Sequence, residues 1–266
     1  MDSNKPKKKF GQNFLNSDVV LKRIIKDSGV TKSDTVIEIG PGRGALTKYL
    51  VGSAKNVFAF EIDLGLKDYL SPLEQLNPNL LVTYQDILEV DLDDFIEKNI
   101  TGDVKVIANI PYYITSPIIF KLLETKRVSE MTLLIQKEVA DRLASKPNSK
   151  DYSGITVIIQ AMAKVEKLIQ VKRTSFYPAP NVDSTVIKLT KKDLNGLIVD
   201  VPLFTKLVKA SFKQKRKTLL NNLEEMSDMK KEQLLLKLQA IDPKYDQFTR
   251  AESLSLDDFI LMSNRW

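Results

Sequence analysis

Short apolar runs alternate with stretches of helical character along the first half of the chain. The runs fall at residues 36–40, 57–62, 80–84, 104–110 and 131–136. Strands separated by helices need crossover connections, which predicts a parallel sheet with helices on both faces. One helix is expected to take Ser116 as its N-cap and Pro117 as its first residue. The segment "ITVIIQAM" fits two elements: its β-branched content suits a strand, whereas Ile155, Ile158, Ile159 and Met162 have helical spacing. The alternation ends near "KKDLNGLIVDVP", and from Pro202 onward the chain reads as helical. Two domains follow, 1–194 and a smaller helical one over 195–266.

A sheet of this kind binds ligands outside the carboxyl ends of its strands, so the residues after each run matter most. The first run leads into "VIEIGPGRGALT". Gly40, Gly42 and Gly44 permit a sharp turn and a close ligand approach, and the following helix start offers free N–H groups to an anion. Glu61 closes the second run about 20 residues after Gly40, where a carboxylate can accept both hydroxyls of a ribose. A purely structural turn leaves that acid unexplained. The glycines also satisfy G-x-G-x-x-A, so this motif alone does not separate a nicotinamide enzyme from an S-adenosylmethionine enzyme.

The third and fourth runs discriminate. "TYQDIL" puts Asp86 on the same sheet edge as Glu61, where it can accept from the amine of a bound adenine. Alone it would be an ordinary turn residue. The fourth run stops in Asn109-Ile110-Pro111-Tyr112, a proline-containing turn that cannot continue a buried strand. An amide, a proline and aromatic rings at that edge suit a pocket for a flat polar ring. The chain has no histidine and no cysteine, which excludes a Ser-His-Asp triad, a disulfide, and thiolate zinc or His-rich metal sites.

Asn-Ile-Pro-Tyr resembles the signature of class I methyltransferases that modify the exocyclic amine of adenine. "KKKFGQNFL" resembles the N-terminal motif of the rRNA adenine dimethyltransferases, the KsgA/RsmA and Erm group. "SKPNSKDYSGITVIIQ", "SFYPAPNVDSTVIKL", "KASFKQKRKTLLNNL" and "RAESLSLDDF" resemble later segments of that family. The likeness runs from Lys7 to about Phe259, and the last two segments are closer to the small-subunit branch than to the antibiotic-resistance branch. Position 113, often asparagine in the family, is Tyr113 here. The resemblance implies a Rossmann-like class I S-adenosylmethionine-dependent methyltransferase domain followed by a small α-helical rRNA-binding domain.

It also implies roles. Gln12, Asn13 and Leu15, with Gly40 and Gly42, would surround the methionine end of S-adenosylmethionine. Glu61 with Ile62 would hold the ribose, and Asp86 with Ile87 the adenine. Asn109 would bridge cofactor and substrate, Pro111 would stiffen the turn, and Tyr112 and Phe176 would stack on either face of an extruded base. The implied reaction is dimethylation of two adjacent adenines in the 3′-terminal hairpin of small-subunit rRNA, within an immature subunit. The large-subunit rRNA enzyme of macrolide resistance is the nearest rival. A nicotinamide oxidoreductase and a non-catalytic RNA-binding assembly factor are more distant ones.

Charge supports an RNA partner. The formal net charge is +6, and Lys5, Lys7, Lys8 and Lys9 crowd the N-terminus. Lys206, Lys209, Lys213, Arg216 and Lys217 recur with helical spacing in a stretch free of acids, which predicts one basic helix face opposite an apolar stripe of Phe204, Leu207, Val208, Ser211 and Phe212. No run approaches the roughly 18 apolar residues of a membrane helix, and the basic N-terminus lacks a secretory apolar stretch. A cytoplasmic, monomeric enzyme is the expectation.

Overall fold

The computed structural model describes residues 6–7 and 10–266. Lys5, Lys8 and Lys9 of the basic N-terminus lie outside the described residues. The strands are β1 (Phe14–Leu15), β2 (Thr35–Ile39), β3 (Asn56–Phe60), β4 (Leu80–Thr83), β5 (Val104–Asn109), β6 (Val128–Gln136), β7 (Ala163–Val171), β8 (Phe176–Tyr177) and β9 (Ser184–Lys191). The helices are α1 (Asp18–Ser28), α2 (Thr47–Ser53), α3 (Lys67–Leu76), α4 (Leu92–Asn99), α5 (Thr115–Glu124), α6 (Lys137–Leu143), α7 (Gly154–Met162), α8 (Val201–Ser211), α9 (Leu219–Leu223), α10 (Lys231–Ile241) and α11 (Leu256–Asn264). Among the described residues none of these is long and apolar enough to cross a membrane.

Seven strands form one sheet in the order β4-β3-β2-β5-β6-β9-β7, and β1 pairs with β8 in a separate antiparallel ribbon. β3, β2, β5 and β6 run parallel with their neighbours, while β9 returns antiparallel beside β6. The five apolar runs are thus the five parallel strands. All five residues of β2 are buried, as expected where helices cover both faces. The chain winds from β2 outward through β3 and β4, then returns to place β5 on β2's other side. That reversal opens a crevice at the carboxyl ends of β2 and β5.

Two local expectations shift. α5 begins at Thr115 with Ile114 before it, so Ser116 is not the N-cap. Pro117 still falls in the first turn, where no N–H partner is needed. "ITVIIQAM" is α7, and Thr156, Val157, Ile158, Ile159 and Ala161 are all buried. A helix apolar on nearly every side is a core helix, and its β-branched content reflects that burial.

The chain divides into two compact units, one running to Ala140 with Glu166–Lys191 and the other made of Asp141–Val165 and Lys192–Trp266. The second unit therefore includes a stretch that precedes residue 195. Its core includes Phe204, Leu207 and Val208 of α8 with Leu234, Leu238 and Phe259. Phe212 sits between Tyr152 and Phe259, at ring-centroid distances of 5.8 and 5.6 Å.

The apolar stripe of α8 is as expected, but the basic face is not a helix face. α8 is capped by Asp200, whose carboxylate accepts from Leu203 N at 2.8 Å, and it stops at Ser211. Buried Asn222 ends it: Nδ2 donates to Ser211 O (2.8 Å) and Gln214 O (3.1 Å), while Oδ1 accepts from Gln214 N (3.1 Å). Lys206 and Lys209 stay on α8, whereas Lys213, Arg216 and Lys217 occupy the loop that Asn222 grips. Acids are not absent either. Glu225 pairs with Lys213 and lies 3.9 Å from Lys217.

Candidate active site

A cavity of about 180 Å³ opens at the carboxyl ends of β2, β3 and β5. Gln12, Asn13, Leu15, Gly40, Gly42, Glu61, Ile62, Asp86, Ile87, Asn109, Pro111 and Tyr112 all line it. From Gly40 to Tyr112 they meet there because they lie at or just past strand ends on the same edge, while Gln12, Asn13 and Leu15 come from the segment around β1. Gly40 and Gly42 have φ of 68° and 62°, a region open to glycine and strained for other residues. A Cβ at Gly42 would stand 3.1 Å from the Phe14 ring.

Glu61 is 4% exposed. Its Oε2 accepts from Gly42 N (3.1 Å) and its Oε1 from Asp63 N (2.8 Å), which ties the Gly-rich turn to the end of β3. Burial raises its carboxyl above the ordinary value. Asp86 closes its own turn by accepting from Leu88 N at 2.9 Å. Asn109 donates from Nδ2 to Asn13 O at 3.1 Å, which leaves Oδ1 as the acceptor end of that amide. Tyr112 follows Pro111 in a single 3-10 turn, and its phenolic oxygen lies 2.6 Å from Ser184 Oγ. Tyr113, 59% exposed, lines the mouth, with its ring 3.1 Å from where a Cβ on Gly11 would stand.

Phe176 is not on the cavity wall. It is 5% exposed, pairs across the ribbon with Leu15, and belongs to the surrounding hydrophobic core. The β1–β8 pairing packs that ring into the core, so the structure does not bring Phe176 to the cavity lining beside Tyr112. Tyr177 beside it is the exposed aromatic.

Three groups that the sequence reading does not single out also belong to the site. Asp63 collects Lys7 Nζ (2.6 Å), Gln12 Nε2 (2.8 Å) and Gly65 N (2.9 Å). With Lys7 N donating to Gln12 Oε1 at 2.7 Å, it holds the segment around Gln12 at the cavity. Its place two residues after Glu61 was the available signal. Ser184 is the second, inside the family-like segment "VDST". Glu38 is the third: it lines the cavity at 1% exposure, and its Oε2 has no hydrogen-bond partner.

Burial, reinforced by the nearby Glu61 charge, pushes the Glu38 carboxyl up from 4.5 to about 8. Between those values the native state keeps a proton that the unfolded chain has released. Stability therefore falls as pH rises through that window, by about 1.4 kcal/mol per pH unit. Glu38→Gln removes the titration. The variant is expected to melt above the parent at pH 8, with the gain shrinking toward pH 5. Thermal unfolding at both pH values checks this, and an equal shift at both would refute it.

The cavity suits an adenosyl cofactor with a cationic, amine-bearing tail. Glu38 Oε2 is unpartnered on the cavity lining, carboxylates stand at the ends of β3 and β4, and the glycine turn carries no side chain to block the approach.

Comparison with known proteins agrees. The family model "Ribosomal RNA adenine dimethylase" matches residues 3–265. The chain is similar to ribosomal RNA small subunit methyltransferase A of Aster yellows witches'-broom phytoplasma, at 45% identity over 98% of this chain and 96% of that protein. The protein of that name from Bacillus licheniformis is 42% identical, over 97% and 90%. Among solved structures, a dimethyladenosine transferase from Plasmodium falciparum superposes with a TM-score of 0.78 at 28% identity, covering 94% of this chain and 95% of that one. The 23S rRNA methyltransferase ErmE shares the fold, with a TM-score of 0.73 at 23% identity, covering 95% and 99%.

Proposed function

The chain belongs to the ribosomal RNA adenine dimethylase family, and from that premise we propose that it dimethylates adenine in small-subunit rRNA. The methyl donor is S-adenosylmethionine, and the fold is the Rossmann-like class I methyltransferase fold. The targets are the two adjacent adenines of the 3′-terminal hairpin of 16S rRNA, presented by an immature small subunit in the cytoplasm to a monomeric enzyme. The observation that carries this reading is the Asn109–Tyr112 turn, which lines the same cavity as Glu61 and Asp86.

When bound, S-adenosylmethionine supplies an electrophilic methyl on a sulfonium. Glu61 and Ile62 hold its ribose, and Asp86 and Ile87 its adenine. Gln12, Asn13, Leu15, Gly40 and Gly42 surround its methionine end, with Glu38 as an acceptor there. The exocyclic nitrogen of adenine is a poor nucleophile because its lone pair is delocalised into the ring. Asn109 Oδ1 accepts from that amine and favours a tetrahedral nitrogen, Pro111 keeps the turn rigid, and Tyr112 stacks on the extruded base. The methylated amine is acidic enough to lose its proton to water, so no general base is needed. A monomethylated amine keeps one hydrogen, so the same site performs a second transfer.

Labelled methyl transfer to immature small subunits, compared with naked large-subunit rRNA, tests the assignment. Transfer to the small subunit is expected, and preference for large-subunit rRNA would overturn it. Lys206, Lys209, Lys213, Arg216 and Lys217 neutralise RNA phosphates. Changing Lys213, Arg216 and Lys217 to Ser is expected to flatten the slope of log affinity against log salt by roughly 0.7–0.9 for each phosphate left without its cation. An unchanged slope would mean that the loop is merely solvated.

A further inference from the structure

Tyr112 is held at both ends. On its main-chain side Pro111 sets the entry (φ −59°, ψ 134°), and Thr115 Oγ1 donates to the Tyr112 carbonyl at 3.1 Å. At the other end of the ring, its hydroxyl meets Ser184 Oγ at 2.6 Å. Ser184 is 0% exposed and opens β9, opposite Gln136 of β6. Its hydroxyl therefore has no water to turn to and sits on the most rigid kind of support, a paired strand. An apolar side chain would bury there without needing a polar partner.

We propose that Ser184 is a positioning residue for methyl transfer: its hydroxyl tethers the Tyr112 phenol and so sets the plane on which the target base stacks. This rests on the proposed function, because the plane matters only if a base lies on it. Conjugation keeps the hydrogen and lone pair of a phenol near the ring plane. A fixed partner therefore controls the ring's rotation as well as its reach, whichever oxygen donates. Burial raises the Tyr112 phenol above its ordinary value, so the pair stays a neutral hydrogen bond at working pH. An untethered ring would still stack, but over a spread of tilts, and misaligned reactants lose rate more than affinity.

The test measures kcat, KM for immature small subunits and cofactor affinity in the parent, Ser184→Ala, Tyr112→Phe, the double variant and Ser184→Thr. Ser184→Ala and Tyr112→Phe are each expected to lower kcat roughly 3- to 10-fold, the worth of one neutral hydrogen bond. Cofactor affinity and KM should stay near those of the parent. The double variant should fall no further than either single, since both remove the same bond. Ser184→Thr, which keeps a hydroxyl, should recover most of the loss. Losses that multiply in the double variant, or full kcat in Ser184→Ala, would overturn the tether. Should Ser184→Ala not fold, Tyr112→Phe decides alone: a loss confined to kcat supports the tether and full kcat overturns it. A parent protein that transfers no methyl overturns the proposed function itself, and that outcome is visible before any variant is compared.

Discussion

Asn109→Asp is expected to lower the single-turnover methyl-transfer rate on the order of 10²–10³-fold, the scale for losing one preorganised polar partner of a reacting group. The substitution is nearly isosteric, and a carboxylate accepts hydrogen bonds better than an amide does. If the site needed only an acceptor beside the target amine, Asp would serve at least as well. But one end of the Asn109 amide is already committed, since Nδ2 donates to Asn13 O at 3.1 Å. Asp would set two acceptors against each other there. The carboxylate must then turn away or draw a donor from elsewhere, and the acceptor that should meet the amine moves with it. Rapid-quench transfer with saturating cofactor reads this directly, and a rate within tenfold of the parent would show that the amide's polarity is irrelevant.

Tyr112→Ala and Glu61→Ala should separate the two halves of the cavity. Base–aromatic stacking is worth roughly 1–3 kcal/mol, so Tyr112→Ala is expected to reduce methylation by about 5- to 150-fold. Its cofactor affinity should stay close to that of the parent. Glu61→Ala should instead weaken cofactor binding, by roughly 10- to 150-fold for a lost charged hydrogen bond. It also strands the Gly42 and Asp63 N–H groups, so Glu61→Gln, which preserves volume, belongs beside it. Acidification should mimic the effect. The Glu61 carboxyl is raised by burial, so affinity begins to fall at a higher pH than for an ordinary glutamate as the carboxylate takes up its proton. Calorimetry on all three variants checks this, and a Tyr112→Ala protein that loses cofactor as badly as Glu61→Ala would sink the division of roles.

What could be read from the sequence was whatever sits at a strand end. Gly40, Glu61 and Asn109 stand at the ends of apolar runs and Asp86 just past one, and parallel topology carries all such ends to one edge. What could not be read depends on partners remote in sequence. Asp63 finds Lys7 across 56 positions and Tyr112 finds Ser184 across 72. The stop at Ser211 comes from a side chain 11 positions on, so helical spacing alone carried the basic face too far. That Phe176 packs in the core, 5% exposed and paired across the ribbon with Leu15, could not be read from its motif either. β7 and β9 went unread because each mixes two lysines and other polar residues with its apolar ones and so lacks the uniform apolar character of most of the parallel strands.

The small β1–β8 ribbon bears on how the protein is made. Phe14 and Leu15 leave the ribosome long before their strand partners, Tyr177 and Phe176. A nascent chain can form its early parallel strands as they emerge, but the wall that carries Gln12, Asn13 and Leu15 stays unanchored by that ribbon until the 170s are synthesised. Contacts of such long sequence separation form late. The growing polypeptide thus completes this side of the cavity only after most of the first unit has been translated, and fragments that stop short of β8 lack the ribbon.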